Sequence, residues 1–295
     1  MEKFKMEKFK IVVASGKGGV GKSMLASSLA ILFSQKKRVI AVDGDVDAPN
    51  LHLWLSQGET WDEREKLSVN DKPVIDYEKC NNCEHCVDIC AFGAMTMVNG
   101  RLEVNPYLCE GCGACEEICP RKAITMAPVE SAEIRIKKSI NGFSLVSAQL
   151  YPGETGSGKI VDEIKKRAED FSYEIMILDA PAGTGCPVIA AVKDVDFAVL
   201  VTEPTPSALA DLERVLEVVN YFRVPWGLVI NKWDINGQFA KKIEIKYQRQ
   251  LLGKVSYDQQ IFQSIANLTP IMKTDLKAKK EIKTIYHYLL DKIND

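Results

Sequence analysis

The glycine-rich sequence SGKGGVGKS, residues 15–23, is the feature around which the rest of the chain can be placed. It follows an apolar run at residues 11–14 that predicts a buried strand, and it precedes residues 24–33, whose sequence MLASSLAILF predicts a helix. Glycines at a strand-to-helix turn permit positive φ, and they let backbone N–H groups and the positive end of the helix converge on an anion. The stretch therefore predicts a phosphate-binding loop.

Two side chains of this loop carry the chemistry of a nucleotide site. Lys22 is expected to reach the β and γ phosphates, and the Ser23 hydroxyl is expected to ligate Mg2+. The predicted nucleotide-binding residues of the loop are Gly16, Lys17, Gly18, Gly19, Val20, Gly21, Lys22, Ser23 and Met24.

The order K-G-G-V-G-K-S, residues 17–23, resembles the deviant Walker A motif of the MinD, ParA, Mrp and nitrogenase iron protein family. In that family the first lysine crosses a dimer interface to the partner's nucleotide. The resemblance implies that Lys17 is catalytic together with Lys22, and that the chain forms a homodimer through its ATP site. A solvated loop lysine is the alternative for Lys17. Met24 departs from the second hydroxyl residue that many members carry.

Composition limits the classes of partner. The 295 residues have a formal net charge of -2 and a pI near 6.1, which give no electrostatic basis for binding nucleic acid or an anionic membrane. No run approaches the roughly 18 apolar residues of a membrane span, and the N-terminus has no apolar signal core. We therefore predict a cytoplasmic protein without stable membrane insertion. The opening MEKFK is repeated at once, and its first copy is given no role in the fold.

Acidic residues end the second predicted strand. Residues 38–43 read as a buried strand that runs into Asp43, Asp45 and Asp47. In a doubly wound sheet, ligands bind outside the carboxyl ends of the strands, so these acids are expected near Mg2+ and the γ phosphate. The segment resembles the family's switch I, which implies that Asp45 is catalytic and positions the attacking water. Asp43 is expected to support the magnesium, and Asp47 has no assigned role beyond a turn carboxylate.

Eight cysteines form an internal repeat. The run Cys80-x2-Cys83-x2-Cys86-x3-Cys90 recurs 29 residues later as Cys109-x2-Cys112-x2-Cys115-x3-Cys119. This spacing is the signature of a bacterial-type ferredoxin with two 4Fe-4S clusters, in which each cluster takes three cysteines from one run and the fourth from the other. We assign cluster one to Cys80, Cys83, Cys86 and Cys119, and cluster two to Cys90, Cys109, Cys112 and Cys115. Disulfides and zinc are the less favoured alternatives.

The cysteine repeat interrupts the nucleotide-binding sequence. We predict a P-loop ATPase domain in two parts, residues 1–71 and 128–295, with an inserted α+β ferredoxin-like domain at residues 72–127. Residues 56–71 read as a linker into the insertion. The fold class is α/β, with a doubly wound and mostly parallel sheet, because the strands are uninterrupted apolar runs. A second glycine-rich run, GETGSGK at residues 153–159, is expected to be a structural turn near the nucleotide or a partner.

Residues 174–179 predict another buried strand that ends at a carboxylate. Asp179 is expected to hold magnesium as a Walker B acid. The segment that follows resembles the switch II of Mrp and MinD-type ATPases, which implies that the Gly183 N–H senses the γ phosphate. Cys186 lies outside both cysteine runs. A small packed thiol is favoured over a cluster ligand like that of the nitrogenase iron protein.

Asn231-Lys-Trp-Asp234 resembles the N-K-x-D base-binding element of GTPases, which alone would favour guanine. In the MinD-like family an asparagine at this place contacts adenine, so the resemblance implies ATP and an adenine contact from Asn231. The amphipathic helix expected at residues 275–293 is predicted to dock on the sheet rather than bind a membrane.

Together these features predict an Mg2+-dependent ATPase that also carries two 4Fe-4S clusters. The leading interpretation is an ATP-gated homodimer that couples nucleotide state to electron transfer into a redox protein or metalloprotein partner. An iron-sulfur cluster carrier or metallocentre maturation ATPase is the first alternative. A ParA/MinD-like positioning ATPase is the second.

Overall fold

A computed structural model describes residues 8–55, 58 and 60–294; the repeated first five residues, and most of the predicted linker's beginning, lie outside the described part. The strands are β1 (Phe9–Ser15), β2 (Val39–Asp43), β3 (Glu63–Leu67), β4 (Asn70–Ile75), β5 (Met95–Val98), β6 (Arg101–Val104), β7 (Ile124–Val129), β8 (Ala132–Ile140), β9 (Phe143–Leu150), β10 (Ile175–Ala182), β11 (Phe197–Thr202), β12 (Trp226–Asn231) and β13 (Leu251–Val255). The α-helices are α1 (Lys22–Ser34), α2 (Leu51–Trp54), α3 (His85–Asp88), α4 (Ala114–Ile118), α5 (Ser157–Ala168), α6 (Cys186–Val192), α7 (Pro206–Tyr221), α8 (Gly237–Lys246), α9 (Gln260–Ala266) and α10 (Lys277–Asn294).

One large sheet organises the described chain. Its strands run in the order β13-β12-β11-β1-β10-β2-β9-β8-β3, and every neighbouring pair from β13 to β9 is parallel. Along β1, Ile11 and Val13 enter one hydrophobic core, whereas Val12 and Ala14 enter the other. Successive side chains point to opposite faces of a strand, so both faces of the sheet are covered. The predicted mostly parallel α/β sheet is confirmed.

The strand order gathers the polar strand ends at one edge. β10 lies between β1 and β2, with Asp179 as the register partner of both Val13 and Asp43. The phosphate-binding loop follows β1 at this same edge. The carboxyl ends of parallel strands meet there, which is where a doubly wound sheet binds its ligand.

The sheet extends further than the sequence suggested. β3 pairs with β8, and β8 pairs with β9, both antiparallel, so residues 63–67 form an edge strand where a linker was predicted. The linker prediction was wrong here because β3 reads Glu-Arg-Glu-Lys-Leu, and an exposed charged edge strand lacks the apolar pattern of a buried one. The strand that pairs with it, β8, lies far away along the chain, so no local pattern indicates the pairing.

Between β3 and β8 lies the inserted segment, residues 70–129. β4 and β7 pair along its root, and the β5–β6 hairpin, α3 and α4 fill it around a small core that includes Cys86 and Cys115. The repeat seen in the sequence recurs in the backbone, because α3 and α4 begin 29 residues apart. Residues with positive φ also recur at that interval, at Asn82, Glu84 and Gly93 and then at Gly111, Gly113 and Lys122.

The C-terminal helix docks as expected. Ile282, Ile285 and Leu289 of α10 are fully buried in the core against one face of the sheet. Among the described helices, none combines the length and apolarity needed to cross a bilayer.

Candidate nucleotide site and cysteine cavities

Steric constraints explain several glycines of the phosphate-binding loop. Gly19 has φ 77° and Gly21 has φ 94°, both in the left-handed region that side chains rarely adopt. A Cβ on Gly21 would overlap the Asn231 amide, and one on Gly16 would overlap the backbone of Asp211. The loop is therefore packed tightly against two other parts of the chain before any ligand binds.

A cavity of about 260 Å³ opens beside this loop. It is lined by seven predicted residues of the loop: Lys17, Gly18, Gly19, Gly21, Lys22, Ser23 and Met24. Asp45 and Asn231 line it too, whereas Gly16, Val20, Asp43, Asp179 and Gly183 are not among its lining residues. A cavity of this kind beside a phosphate loop suits a nucleotide.

Lys22 is paired beneath the loop. Its Nζ lies 2.6 Å from Asp179 Oδ1 and 3.4 Å from Ser23 Oγ. The other carboxylate oxygen of Asp179 is buried and has no hydrogen-bond partner in the described chain. A buried acceptor without a donor is costly, so this oxygen is available to a hydrogen-bond donor, and the predicted magnesium role of Asp179 stays a prediction.

Asp43 is committed to the loop that follows it. Its two carboxylate oxygens accept hydrogen bonds from the backbone N–H groups of Asp45, at 3.2 Å, and of Leu51, at 2.9 Å. Burial, followed by the charge of Asp179, raises the pKa of Asp43 to about 7. Asp43 thus anchors both ends of the loop at residues 45–51, and its predicted support of magnesium stays a prediction.

Asp45 faces the nucleotide cavity and is half-buried. Its Oδ1 accepts a hydrogen bond from Ala48 N at 3.4 Å, which leaves the carboxylate largely available. Burial raises its pKa, and the nearby Lys22 opposes that shift. The position suits a carboxylate that orients a water against a terminal phosphate.

Lys17 is held by its own chain. Its Nζ lies 3.1 Å from Glu203 Oε1, and the other Glu203 oxygen lies 3.2 Å from Lys232 Nζ. Burial alone would raise the pKa of Glu203, but hydrogen bonds from Lys17 and Lys232 outweigh burial and lower that pKa. The reach of Lys17 into a partner stays a prediction. Sequence reasoning missed Glu203, although an acid directly after the predicted strand β11 was a usable signal.

Gly183 and Asn231 are both engaged with the phosphate-binding segment. Gly183, at φ 100°, donates its N–H to Ser15 O at 3.0 Å. Asn231 donates from Nδ2 to Val20 O at 2.7 Å. In this arrangement both residues position the loop, and their predicted contacts to the γ phosphate and to adenine stay predictions.

Six further lining residues of the cavity were not anticipated. They are Ser256, Tyr257 and Asp258, which follow β13, together with Ile261, Phe262 and Trp54. The available signal was a polar triple after an apolar strand, the same pattern that marked Asp43 and Asp179. Residues 256–258 reach the cavity through the sheet, because β13 lies beside β12.

The eight repeated cysteines line two separate cavities. The first is lined by Cys80, Cys83, Cys86 and Cys119, and the second by Cys90, Cys109, Cys112 and Cys115. Each group combines three thiols of one run with the last thiol of the other. No cysteine within the described residues forms a disulfide. Those residues also contain no group of His, Cys, Asp or Glu side chains arranged to hold a single metal ion.

Backbone N–H groups converge on the last thiol of each run. Ala94 N lies 3.3 Å from Cys90 Sγ, and Ala123 N lies 3.2 Å from Cys119 Sγ. Burial alone would raise the pKa of Cys90, but N–H groups of this kind outweigh burial and hold that pKa below its ordinary value. Burial and neighbouring thiols raise the pKa of Cys86 to about 11. These cavities suit an electropositive group with thiolate ligands, and N–H donors to sulfur are a known feature of iron-sulfur sites.

Cys186 and the second glycine-rich run lie apart from both kinds of cavity. Cys186 is exposed at the start of α6, so the prediction of a small packed thiol was wrong, and a Cβ on Gly158 would lie 3.1 Å from its Cβ. Gly153 packs against the Tyr107 ring of the inserted segment. Residues 153–156 form the turn that was predicted, whereas residues 157–159 are the start of α5, and the turn contacts the inserted segment.

Comparison with known proteins identifies the nucleotide-binding part. Residues 11–271 match the family model described as the CobQ/CobB/MinD/ParA nucleotide binding domain. An uncharacterized protein of Methanocaldococcus jannaschii is 38% identical over 281 residues, 95% of this chain and 96% of that protein. An iron-sulfur cluster carrier protein of Pyrococcus horikoshii is 24% identical and covers 100% of this chain and 90% of its own length. The septum site-determining protein MinD of Pyrococcus horikoshii, solved with Mg-ADP, has a TM-score of 0.62 at 17% identity, covering 97% of each chain.

Proposed function

We propose a function on the premise that the chain belongs to the CobQ/CobB/MinD/ParA nucleotide-binding family. It is an Mg2+-dependent ATPase that forms an ATP-gated homodimer and couples its nucleotide state to electron transfer through an inserted ferredoxin domain. The observation that carries this proposal is that one chain combines a phosphate-loop cavity with two four-cysteine cavities.

The catalytic roles follow from the contacts of three side chains. Lys22 would bind the terminal phosphates, since its ammonium group is buried beside the loop and is already matched to one carboxylate. Ser23 and Asp179 would hold magnesium and its water, a role supported by the unpartnered Asp179 oxygen. Asp45 would orient the attacking water from its place on the cavity wall. Gly183 and Asn231 would complete the nucleotide contacts.

Homodimer formation rests on Lys17. The family resemblance of its motif implies a contact to the partner's nucleotide, and the Lys17 side chain is 41% exposed at the mouth of the site. To cross into a partner, Lys17 must leave Glu203. A bound triphosphate adds negative charge that competes for the lysine, which would link dimer formation to ATP.

The grouping of four thiols in each cysteine cavity supports the assignment of two 4Fe-4S clusters. Cluster one would be held by Cys80, Cys83, Cys86 and Cys119, and cluster two by Cys90, Cys109, Cys112 and Cys115. When bound, such clusters supply one-electron transfer at low potential. The chain's own contribution is the thiols and the N–H groups of Ala94 and Ala123, which lower the energy of negative charge on sulfur.

The test is a joint assay of iron and nucleotide chemistry on anaerobically purified protein. We expect about eight irons per chain, a 4Fe-4S spectrum on reduction, and Mg2+-dependent ATP hydrolysis. Zinc in place of iron, or the absence of ATP binding, would overturn the proposal.

A second candidate function is iron-sulfur cluster carriage, favoured by the carrier protein of Pyrococcus horikoshii that aligns with the whole chain. A carrier releases its cluster to an acceptor apoprotein, whereas full ligation by four cysteines favours retention. Incubation with an apoferredoxin separates the two: iron that stays with this chain supports electron transfer, and iron that moves supports carriage.

A further inference from the structure

The 29-residue repeat gives the residues of one cysteine cavity counterparts in the other. Some counterparts are alike. Ala94 and Ala123 donate their N–H groups to the last thiol of each run, at 3.3 and 3.2 Å, and Met97 and Met126 each line one cavity. These matched groups favour neither cavity, so a difference between the two comes from the positions where the repeat is broken.

The first cavity, assigned to cluster one, is lined by residues of both charges. Arg121 and Glu84 line it, and their counterparts in the other half of the repeat are Phe92 and Gly113. Arg121 is exposed, and within the described part of the chain no carboxylate pairs with its guanidinium group. His85 also lines this cavity, and its neutral form adds no charge. The side chains around the first cavity are therefore balanced in charge.

The second cavity, assigned to cluster two, is acidic. Glu110 lines it, and the counterpart of Glu110 at the first cavity is the neutral Asn81. Glu116 accepts the N–H of Met126 at 3.1 Å, which places a second carboxylate against a lining residue of this cavity. The counterpart of Glu116 is Val87, which carries no charge. The broken repeat thus makes the second cavity more negative than the first.

The second cavity is also nearer to the root of the inserted segment. Pro73 and Met126 are register partners in the β4–β7 ladder, and both line the second cavity. Ile124, which lies two residues further from the root on β7, lines the first cavity. A Cβ on Gly111 would lie 2.5 Å from Asp71 O, so the loop of the second cavity packs on the root end of β4.

This difference in charge acts on reduction. A reduced 4Fe-4S cluster carries one more negative charge than an oxidised one, and the net charge around a cluster is one of the properties that set its potential. Arg121 would therefore raise the potential at the first cavity. Glu110 and Glu116 would lower the potential at the second.

We propose that Arg121, Glu110 and Glu116 set unequal reduction potentials, so that cluster one takes the first electron from a one-electron donor and the inserted segment holds that electron on the side away from its root. This inference rests on the proposed function, because it needs the two clusters assigned to the cysteine cavities. The three side chains act through their charge, and none of them is a ligand.

The experiment is a redox titration of the full-length, nucleotide-free protein with titanium(III) citrate at low ionic strength, followed by electron paramagnetic resonance. Cys109→Ser and Cys80→Ser identify the signals of cluster one and cluster two. In the parent we expect cluster one to have the higher potential by at least about 30 mV, which is about a threefold change in a one-electron equilibrium. Half-reduced protein should therefore show mainly the cluster-one signal.

The repeat itself supplies matched variants. Arg121→Phe gives the first cavity the residue of the second and should lower the cluster-one potential by about the same 30 mV. Arg121→Lys keeps the positive charge and should keep the parent potential. Glu110→Asn gives the second cavity the residue of the first and should raise the cluster-two potential. The exchange variant Arg121→Phe/Phe92→Arg should reverse the order of the two potentials.

Salt separates an effect of charge from an effect of structure. Arg121 and Glu110 are exposed, and salt screens exposed charges, so a higher ionic strength should narrow the gap in the parent. A structural effect of Arg121→Phe would neither respond to salt nor be rescued by lysine.

Three results would overturn the inference: equal potentials in the parent, an order that survives the exchange variant, or a gap that salt does not change. If Arg121→Phe does not assemble both clusters, Glu110→Asn tests the same claim at the other cavity, and an unchanged cluster-two potential there overturns it. A parent that holds fewer than two 4Fe-4S clusters would instead overturn the proposed function.

Discussion

Lys22 Nζ donates to Asp179 Oδ1 over 2.6 Å, and the two side chains are 8% and 1% exposed. Removing one partner of a buried ion pair leaves an uncompensated charge and costs about 3 kcal/mol. We therefore expect Lys22→Ala to abolish Mg-ATP binding and also to lower the free energy of unfolding of the nucleotide-free protein. Calorimetric titration and urea denaturation measure the two effects.

The double variant Lys22→Ala/Asp179→Asn is the control. Without the second carboxylate charge it should regain most of the lost stability, yet it should still not bind Mg-ATP. Normal binding by Lys22→Ala would show that the loop lysine has no role at the phosphates.

Asp45 supplies the second prediction. Asp45→Ala should bind Mg-ATP but hydrolyse it at least about 100-fold more slowly, because a positioned acid-base group typically contributes that much. The trapped ATP should make the variant accumulate as a dimer, which analytical ultracentrifugation detects. Asp47→Ala, an exposed neighbour on the same loop, should keep the parent rate. Parent-like turnover in Asp45→Ala would remove Asp45 from the mechanism.

The third prediction concerns the thiols that the two cysteine runs contribute to each other's cavity. Cys119 lines the same cavity as Cys80, although it belongs to the other run. Cys119→Ser and Cys80→Ser should therefore both disturb cluster one and leave the same electron paramagnetic resonance signal, that of cluster two. Cys109→Ser should disturb cluster two and leave the signal of cluster one. Cys186→Ser should retain about eight irons. If Cys119→Ser instead resembled Cys109→Ser, the assignment of the clusters would be wrong.

The root of the inserted segment gives a fourth prediction. Lys72 Nζ lies 2.7 Å from Glu154 Oε1 and 2.8 Å from Pro106 O, and the Lys72 side chain is 9% exposed. Lys72→Met should loosen this root, so that amide hydrogen exchange rises in peptides around Pro106 and Glu154 but not in the phosphate-binding loop.

Lys72→Met/Glu154→Gln is the matched control, because it removes the buried carboxylate charge that the single variant leaves unpaired. Exchange in the double variant should fall back toward the parent level. Unchanged exchange in Lys72→Met, or an increase throughout the chain, would mean that this ion pair does not hold the segment in place.

Features with local causes were predictable from the sequence. The positive φ of Gly19 and Gly21 is a local property of the turn, and the cysteine runs follow from ligand spacing. The contacts that Gly16 and Gly21 make with Asp211 and Asn231 are long-range and were not predictable. The Lys17–Glu203 pair joins residues 186 positions apart, and no local pattern could reveal it. The same holds for Asp234 and Tyr257, which meet only because β12 and β13 are neighbours. Long-range pairing also explains why the charged edge strand β3 was taken for a linker.

A short series of contacts joins the loop at residues 45–51 to the inserted segment. Asp47 O accepts a hydrogen bond from Gln149 Nε2 at 3.4 Å, and Val46 O accepts one from Leu150 N at 2.8 Å. The turn after β9 then reaches Lys72 through Glu154. A rearrangement of the loop at residues 45–51 would act on the inserted segment through this turn, provided that the ATP-bound and ATP-free states differ in these contacts.

The reduction potentials of the clusters in three nucleotide states test whether ATP binding controls the redox centres. They are measured without nucleotide, with Mg-ADP, and with Mg-ATP bound to Asp45→Ala. We expect the ATP state to shift at least one potential by about 60 mV, a tenfold change in a one-electron equilibrium, or to change the rate of cluster oxidation by a protein acceptor to a similar extent. Identical potentials and identical oxidation rates in all three states would contradict it.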